Sequence, residues 1–517
     1  MKIKKTDLDH RIRRLNKTIE HLKSGNRSLR QEVDKKNQVI LRIHRKLEVS
    51  ERALFIMDRR LKLIQRSFGF RLGSYIVYPF YLVKELLLFL FTAKKRTITL
   101  SRRLDSLDLE QFEKDNIILS ENQLAASSLI ESDEVVKQLT SNHNPNLFYY
   151  KDYEKKLPLE KKLIKAIAFY LPQFHEIDEN NEWWENGFTE WTNVTRGVPR
   201  FEGHFQPRLP ADTGFYNLTT LETLKKQVEL ALNYGVYGFC FYYYWFSGKR
   251  LLEKPLDLFL ESEIEFPFCL CWANENWTRR WDGQEDDVLI RQEYKENDPK
   301  IFAQDISRYL ADKRYIKING RPLIIVYRAQ EIPKISSVLE EWKNEFAMRN
   351  IAEPIFYCAQ TFGFEDPAEI GFDGAIEFPP HNSGEMPSLN SEMRFFEKSS
   401  RIQIKDYRDM VRRLRNDMDS KPYSLIRTVF PSWDNDARKK GDGLVFVNAS
   451  PNNYADWLKL AIDYAEHNLI EDEAIIFINA WNEWGEGAHL EPDRHFGYAY
   501  LDATYEALSQ STLNQKQ

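Results

Sequence analysis

Two glutamates three positions apart, Glu483 and Glu486, have the spacing in this sequence that best suits acid–base chemistry. They lie in the motif Asn-Glu-Trp-Gly-Glu-Gly, shortly after an apolar run at 475–478 that predicts a buried strand. Cleavage of a glycosidic bond requires such a pair, because one carboxyl protonates the leaving oxygen while the other stabilises the developing cation or activates a hydroxyl. Taken alone, the segment fits a strand–loop–helix junction with solvated acids equally well.

A barrel of alternating strands and helices would place this pair at the rim of a cleft. Between residues 161 and 510, β-rich apolar runs alternate with amphipathic or loop stretches, and the runs occupy 164–174, 236–246, 266–277, 322–328, 354–361, 374–379, 425–433 and 475–481. This alternation predicts an α/β fold, a (β/α)8 TIM-type barrel with insertions. A doubly wound open sheet is the alternative, but it requires a Gly-rich phosphate loop, and neither GxGxxG nor GxxxxGK[ST] occurs.

Polar and aromatic side chains follow each predicted strand, at the end where barrel strands contribute to a common site. Packing alone does not explain why all of the runs end in this way. We therefore predict a glycan-binding cleft at this end of the barrel. The strand-end residues assigned to substrate binding are Tyr170, Gln173, His175, Tyr244, Trp245, Trp272, Asn274, Glu275, Trp277, Gln360, Glu377, Trp433, Asp434, Asn482 and Trp484.

Several of these residues also have a structural interpretation that the sequence leaves open. His175 and Gln173 can satisfy hydrogen bonds at a strand end, and Glu275 can pair with Arg279 or Arg280. The tryptophans can belong to the core instead of stacking on a sugar.

An Asp-x-Asp pair raises the question of a metal. Asp434 and Asp436 could hold a divalent ion on a nucleotide-sugar diphosphate, but short matches are common by chance, and Asp417 and Asp419 form another. We therefore predict a site that uses neither a metal nor a cofactor.

The cysteines and the charge distribution indicate the compartment and the class of partner. All four cysteines lie in apolar runs, as small buried hydrophobes do in a reducing compartment: Cys240, Cys269, Cys271 and Cys358. The first twenty residues lack the apolar core of a secretory signal. Residues 1–72 carry a net charge of +13 and the remainder −18, which argues against nucleic acid as the substrate of the main domain. We expect a cytoplasmic location.

The N-terminal region, residues 1–66, has the pattern of a coiled coil. Across 8–64, two columns of a heptad repeat are mostly apolar, with β-branched residues in one column and leucine in the other over the first half. A single Asn26 interrupts the β-branched column, a combination that favours a parallel homodimer. A single basic helix lying on a membrane is the alternative.

Residues 67–96 are strongly apolar and flanked by basic residues. Pro79 interrupts the run, and Lys84 and Glu85 would each cost roughly 2.5–3.5 kcal/mol at the centre of a bilayer. We predict an interfacial segment that contacts the inner face of the membrane, with a spanning helix and a buried soluble helix as alternatives. Residues 97–160 are polar and charged, and we interpret them as a helical linker.

Five long motifs in the barrel region resemble the glycosyltransferase WbsX family, which is also described as glycoside hydrolase family 99-like. The resemblance covers residues 161–505, and its motifs are AFYLPQFHEIDENNEWWENGFTEWTNV with FEGHFQPRLPADTGFY, GFCFYYYWF, CLCWANENWTRRWDG, FPSWDNDAR and INAWNEWGEGAHLEPD. It implies a (β/α)8 barrel and a role in bacterial O-antigen, capsule or related lipopolysaccharide pathways. It also adds Glu190 and Trp191 to the expected substrate-binding residues.

The resemblance further implies the roles of the two glutamates. The similar hydrolases cleave α-mannosidic bonds with retention, and their catalytic pair corresponds to Glu483 and Glu486. Glu483 would act as base on the sugar 2-hydroxyl, giving a 1,2-anhydro intermediate, while Glu486 would serve as general acid and then general base. This requires Glu486 to hold a proton while Glu483 stays ionised. The chain differs from many of these hydrolases in having Gly485 where they carry histidine.

Three functions remain in competition at this point. The first is a retaining glycosidase or transglycosidase that acts on a surface polysaccharide or on its lipid-linked oligosaccharide precursor. The second is a nucleotide-sugar-dependent glycosyltransferase, which the family name suggests but for which no nucleotide-binding loop is recognisable. The third is a non-catalytic scaffold for polysaccharide assembly, dimerised through 8–64 and docked on the membrane through 67–96.

Overall fold

The computed structural model describes residues 137–142, 144–159, 164–278, 288–397 and 400–511. The predicted coiled coil at 1–66, the apolar segment at 67–96 and most of the predicted linker lie outside these residues. Within the described part of the chain, no helix combines the length and the apolar character needed to cross a membrane.

Eight parallel strands form a closed barrel, which confirms the predicted (β/α)8 architecture. In chain order they are β1 (Lys165–Tyr170), β2 (Gly238–Phe246), β3 (Phe268–Trp272), β4 (Arg321–Val326), β5 (Ile355–Gln360), β6 (Gly374–Glu377), β7 (Ser424–Ile426 and Thr428–Val429) and β8 (Ile475–Ile478). Each strand pairs with the next along the chain, and β8 pairs with β1 in the register Ile167 to Phe477. The first segment of β7 pairs with β6 and the second with β8, on either side of Arg427.

The strands are largely apolar because a barrel strand is covered on both faces, and charged residues such as Lys165 and Arg321 stand at strand ends. In β3, Phe-Cys-Leu-Cys-Trp, all five residues are buried. The four cysteines are buried and unbridged, as their positions in apolar runs predict. Phe169 of β1 lies in the barrel interior, where its ring is 5.0 Å from that of Phe477 and 5.1 Å from that of Phe378.

The connections between strands carry the helices α1 (Asp178–Trp183), α2 (Glu190–Thr195), α3 (Leu221–Asn233), α4 (Lys254–Glu261), α5 (Asp298–Leu310), α6 (Ile335–Met348), α7 (Tyr407–Arg415), α8 (Asp436–Lys439) and α9 (Pro451–Asn468). The helix α10 (Ala499–Ser509) follows β8. Helix α9 begins with a proline in its first turn, and the Ser450 hydroxyl accepts a hydrogen bond from the Asn453 amide. Between β5 and β6 the connection is a 3-10 turn, Pro367–Ile370.

Two small sheets contribute to the carboxyl end of the barrel. Gln403–Asp406 pairs in parallel with Leu444–Val447, and Asn482–Glu483 pairs antiparallel with Ala488–His489. The remaining short strands are Lys249–Leu251 beside β2, Lys317–Ile318 beside β4, and the pair Trp277–Thr278 and Val288–Ile290.

Residues 144–159, assigned from the sequence to a helical linker, contain no helix and pack on the barrel domain instead. The Lys151 amide donates to the Phe496 carbonyl, and the Tyr498 amide donates to the Lys151 carbonyl. The Lys156 ammonium lies 2.5 Å from an Asp502 carboxylate oxygen, with both side chains mostly buried. Residues 144–159 thus pack on the barrel domain through partners that sequence order does not reveal, whereas residues 137–142 are helical.

Candidate active site

The predicted catalytic pair lies in a tight hairpin after β8. Glu483 ends one short strand, the residues 484–486 form a 3-10 turn, and the chain returns along Ala488–His489. Gly487 adopts a φ of 61°, which favours glycine, and a Cβ there would lie 2.7 Å from the Arg208 Nε. The hairpin fixes both carboxyls over the carboxyl end of the barrel.

A cleft of about 690 Å³ opens beside these carboxyls. Its walls come from the ends of barrel strands and from the inserted segments at 378–405 and 433–444. The residues that line it include Tyr242, Tyr244, Glu275, Trp277, Tyr327, Arg328, Phe378, His381, Lys405, Trp433, Asn435, Arg438, Asn479, Glu483 and Glu486. The volume is ample for a sugar ring and its neighbours.

Arg438 of α8 binds three carboxylates at once, and we call Arg438, Glu190, Glu483 and Glu486 the Arg438 cluster. Its Nε lies 2.7 Å from Glu190 Oε1, its Nη1 lies 2.7 Å from Glu486 Oε1, and its Nη2 contacts Glu483 Oε1. Glu190 and Glu483 are buried, whereas the Glu486 side chain is 24 % exposed. The two predicted catalytic carboxyls are therefore held side by side by one guanidinium.

A backbone hydrogen bond and a glycine allow this cluster to form. The Glu190 amide donates to the Gln173 carbonyl, which ties α2 to the end of β1. A Cβ on Gly485 would lie 1.9 Å from Glu190 Oε1 and 2.7 Å from Arg438 Nε. The position therefore has to be glycine as long as the Glu190–Arg438 pair occupies that space.

Burial dominates the electrostatics of the cluster. Desolvation raises the pKa of Glu483 to about 8; Arg438 opposes this shift, while the charges of Glu486 and Glu190 add to it. Desolvation also raises the pKa of Glu190. A single guanidinium cannot neutralise three carboxylates, so a proton is retained in the cluster near neutral pH. The ionised form of Glu483 that the resemblance implies stays a prediction: burial opposes it, and the Arg438 guanidinium favours it.

Aromatic rings form the wall next to the carboxyls. The ring of Tyr244 stacks on that of Trp277 at 5.3 Å, and Gln173 Nε2 donates to the Tyr244 hydroxyl at 3.2 Å. The Tyr327 hydroxyl is 2.8 Å from His381 Nε2. These flat faces and hydroxyls suit a sugar ring, which presents apolar C–H faces and a rim of hydroxyls.

The structure places six of the residues predicted from the sequence on the cleft surface: Tyr244, Glu275, Trp277, Trp433, Glu483 and Glu486. Others lie directly behind it. Gln173 supports Tyr244, and Glu190 supports Arg438. Asn274 joins the ends of β3 and β4, since its Oδ1 accepts from the Arg328 amide and its Nδ2 donates to the Arg328 carbonyl.

A second buried carboxylate, Glu491, organises the layer behind the hairpin. It accepts hydrogen bonds from the Tyr216 hydroxyl, Gln227 Nε2 and Trp484 Nε1 at 2.7–2.8 Å, and we call these four residues the Glu491 cluster. Burial raises the pKa of Glu491 to about 7. The predicted sugar-binding residue Trp484 is thus buried in this cluster.

The neighbours of this cluster also come from the predicted set, and all of them are buried. The Tyr170 hydroxyl donates to Gln227 Oε1, and Asn482 exchanges hydrogen bonds with the backbone of Leu171. The Trp191 ring packs 5.7 Å from that of Trp484. They support the hairpin and do not line the cleft.

Asp434 does not line the cleft either. It is fully buried and accepts hydrogen bonds from His204 at 2.9 Å and from Gln206 at 2.8 Å. Burial alone would raise its pKa, but His204, Arg208 and Gln206 together lower it. It anchors the segment after α2 to the residues just before α8, the helix that carries Arg438. In the described residues, no group of three or more His, Cys, Asp or Glu side chains is arranged to hold a metal ion.

The remaining predicted residues do not line the cleft. Trp245 and Trp272 pack against each other at 5.8 Å on the helix-facing side of the barrel. His175 is completely buried, and burial lowers the pKa of its imidazole to about 4. Gln360 donates to the Tyr423 hydroxyl, and Glu377 accepts from Asn382.

Sequence reasoning missed Arg438, Glu491, Tyr242, His381 and Lys405. Arg438 and Glu491 occur inside the motifs FPSWDNDAR and INAWNEWGEGAHLEPD, so a search for a cation to match the glutamates could have found the first. Nothing local marks His381 or Lys405, because the inserted segments that carry them reach the cleft only through the fold.

Comparison with known proteins identifies the family of this chain. A family model described as "Glycosyltransferase WbsX" matches residues 166–504. Two relatives named "Uncharacterized protein WxcX", from two strains of Xanthomonas campestris pv. campestris, are 45 % identical over 349 residues, or 67 % of this chain and 50 % of theirs. The chain spans about half the length of these curated relatives.

Two solved structures are similar at lower identity. A "Glycoside hydrolase-like protein" is 13 % identical, with a TM-score of 0.44 over 69 % of this chain and 96 % of that chain. The GH99 endo-alpha-mannosidase from Bacteroides thetaiotaomicron is 15 % identical, with a TM-score of 0.40 over 68 % of this chain and 98 % of that chain. Since the family model covers the barrel and its carboxylate cluster, this chain belongs to the glycosyltransferase WbsX family.

Proposed function

We propose that this protein is a carbohydrate-active enzyme that cleaves or transfers glycosyl units with retention, using Glu483 and Glu486. The substrate would be a bacterial surface polysaccharide or its lipid-linked precursor. The observation that carries the proposal is the placement of both carboxyls, joined by Arg438, at an aromatic cleft on the carboxyl end of the barrel. Family membership supports the carbohydrate class of the substrate.

The proposed reaction has two steps. Ionised Glu483 takes the proton of the 2-hydroxyl, O2 attacks C1, and the C1–O glycosidic bond breaks as Glu486 gives its proton to the leaving oxygen. Water or an acceptor hydroxyl then attacks C1 and gives its proton to Glu486, while the C1–O2 bond breaks and O2 recovers a proton from Glu483. The configuration at C1 is inverted twice and therefore retained.

The Arg438 cluster suits this two-step reaction, because Glu483 and Glu486 together must hold one proton before the first step. Glu486, the more exposed of the two, faces the cleft, where a leaving oxygen would lie. A pKa of about 8 makes Glu483, once ionised, a stronger base towards a hydroxyl than an exposed glutamate. Arg438 contacts both carboxyls, so it can stabilise the charge on either one during the reaction.

The test follows the mass of a lipid-linked glycan, extracted from a cell that makes a surface polysaccharide, with purified full-length protein. Loss of mass without added sugar nucleotide, absent in Glu486→Gln, is the expected result. Glu229→Gln, on the exposed face of α3, is the matched control and should behave as wild type. Turnover by Glu486→Gln at the wild-type rate would contradict the proposed mechanism.

A nucleotide-sugar-dependent glycosyltransferase is the second candidate, because the family is described by that activity. In the same assay, it would add one sugar only when the nucleotide sugar is supplied. Unchanged mass under every condition would favour the assembly scaffold. The parallel homodimer through 8–64, the peripheral membrane contact through 67–96 and the cytoplasmic location remain proposals that rest on the sequence.

A further inference from the structure

A buried lysine lines the cleft from a segment separate from the catalytic hairpin. Lys405 lies on the strand Gln403–Asp406, and Gln403, two positions earlier and on the same face, lines the cleft as well. Lys405 is only 5 % exposed. The neighbouring strand Leu444–Val447 leads back to the loop that carries Asn435, so this wall is continuous with the site.

The hydrogen bonds of Lys405 do not neutralise its charge. Its Nζ donates to the carbonyls of Ser383 and Gly384, which leaves one of three N–H groups for another acceptor. Within the described residues, no aspartate or glutamate forms an ion pair with it. The adjacent Asp406 is committed to Arg408 and Asn448 instead.

A second positive charge, that of Arg413, acts on this lysine. Burial lowers the pKa of Lys405, and the charge of Arg413 lowers it further. A buried ammonium without a counter-ion is unfavourable by several kcal/mol on general grounds. An anion entering the cleft beside Lys405 would remove that penalty. The carboxyls of the Arg438 cluster would repel the same anion, so its position in the cleft is restricted.

We propose that Lys405 binds an anionic oxygen group of the substrate, either a sugar carboxylate or a phosphate. The inference deepens the proposed function, on which it rests, by assigning a charged glycan to the cleft. The anion lies against Lys405, while the bond to be cleaved lies against Glu483 and Glu486. This arrangement gives the substrate one orientation along the cleft.

The test measures binding, so it does not depend on turnover. Full-length protein is titrated with D-glucuronate, inorganic phosphate and D-glucose by calorimetry, at matched ionic strength. Wild type should bind at least one of the two anions saturably and should bind glucose at least about tenfold more weakly. Preference for glucuronate would indicate a uronic-acid glycan, and preference for phosphate a phosphate-linked one.

Variants at position 405 separate this site from general electrostatics. Lys405→Gln keeps a donor for the backbone carbonyls but removes the charge, and it should weaken anion binding at least tenfold. Lys405→Arg should retain it, and Glu486→Gln, which removes a repelling carboxylate, should bind anions at least as tightly as wild type does while losing turnover. Equal binding by Lys405→Gln and wild type would overturn the proposal. If Lys405→Gln does not fold, failure of the wild type to prefer an anion over glucose would overturn it.

Discussion

Glu483 and Glu491 are both buried carboxyls of one hairpin region, yet they have opposite kinds of partner. Glu483 contacts the Arg438 guanidinium and lines the cleft. Glu491 is surrounded by neutral donors from Tyr216, Gln227 and Trp484 and lies behind the hairpin. Burial raises both pKa values, to about 8 and about 7 respectively.

The comparison shows how two carboxyls with similar burial and similar pKa can serve different purposes. Neutral donors fix the position of Glu491 and leave none of its oxygens facing the cleft, which suits a support. A charged partner shared with Glu486 and Glu190 leaves Glu483 beside the cleft, where a change of protonation can be used. A raised pKa alone therefore does not distinguish a proposed catalytic carboxyl from a supporting one, and access to the cleft is the second criterion.

We expect the largest effect on kcat, which should fall for variants of the Arg438 cluster and change little for a variant of the Glu491 cluster. Glu483→Gln and Glu486→Gln should each lower kcat by on the order of 10²–10⁴, because acid–base catalysis contributes about that factor. Glu491→Gln should change kcat far less, since its side chain does not reach the cleft. Steady-state kinetics on the identified glycan would measure this. A larger loss for Glu491→Gln than for Glu486→Gln would reverse the assignment.

Removal of Arg438, the cation that three carboxylates share, should cause the largest loss of stability. Arg438→Met leaves two buried carboxyls without a counter-charge, and we expect a loss of about 3–5 kcal/mol in the free energy of unfolding. Arg412→Met, at an exposed position on α7, is the control and should stay within about 0.5 kcal/mol of wild type. Urea denaturation measures both. Equal stability of the two variants would show that Arg438 does not hold the cluster together.

A substitution in the Glu491 cluster, behind the hairpin, should lower the stability of the protein. In Glu491→Gln, an amide NH₂ faces donors that the carboxylate had accepted from, so we expect a loss of about 1–3 kcal/mol in the free energy of unfolding. The near-ultraviolet circular dichroism of Trp484 and its neighbours should change with it. Unchanged stability together with lost activity would move Glu491 into the catalytic group.

The pH dependence of stability should distinguish Glu483 from an exposed glutamate. Because its pKa is raised from 4.5 to about 8 in the folded state, the folded protein binds the extra proton between these values, and stability falls as pH rises through that window. The slope from this group alone is at most about 1.4 kcal/mol per pH unit. Glu483→Gln should lack this component, so its stability relative to wild type should improve from pH 5 to pH 8. A constant difference would show that Glu483 is not protonated in the folded state.

The barrel could be predicted from the sequence, because its strands are apolar on both faces and therefore appear as short apolar runs. The runs at 266–277 and 475–481 contain β3 and β8, and the amphipathic stretches contain the long helices. The sequence also singled out Glu483 and Glu486 as candidate acids, since a three-residue spacing after a strand is visible locally; their catalytic roles stay predictions. The contacts of residues 144–159 with the barrel could not be predicted, because polar composition does not reveal where the partners lie.

Only the tertiary structure decided which of the strand-end residues face the cleft. Trp272 and Trp277 are five residues apart in one motif, yet the first packs on Trp245 in the core and the second stacks on Tyr244 in the cleft wall. Arg438 meets Glu190 across 248 positions and Glu483 across 45. Sequence determined the elements and the acids, because these follow from local burial and residue type; the fold determined their charges and partners, because these depend on which distant groups the barrel brings together.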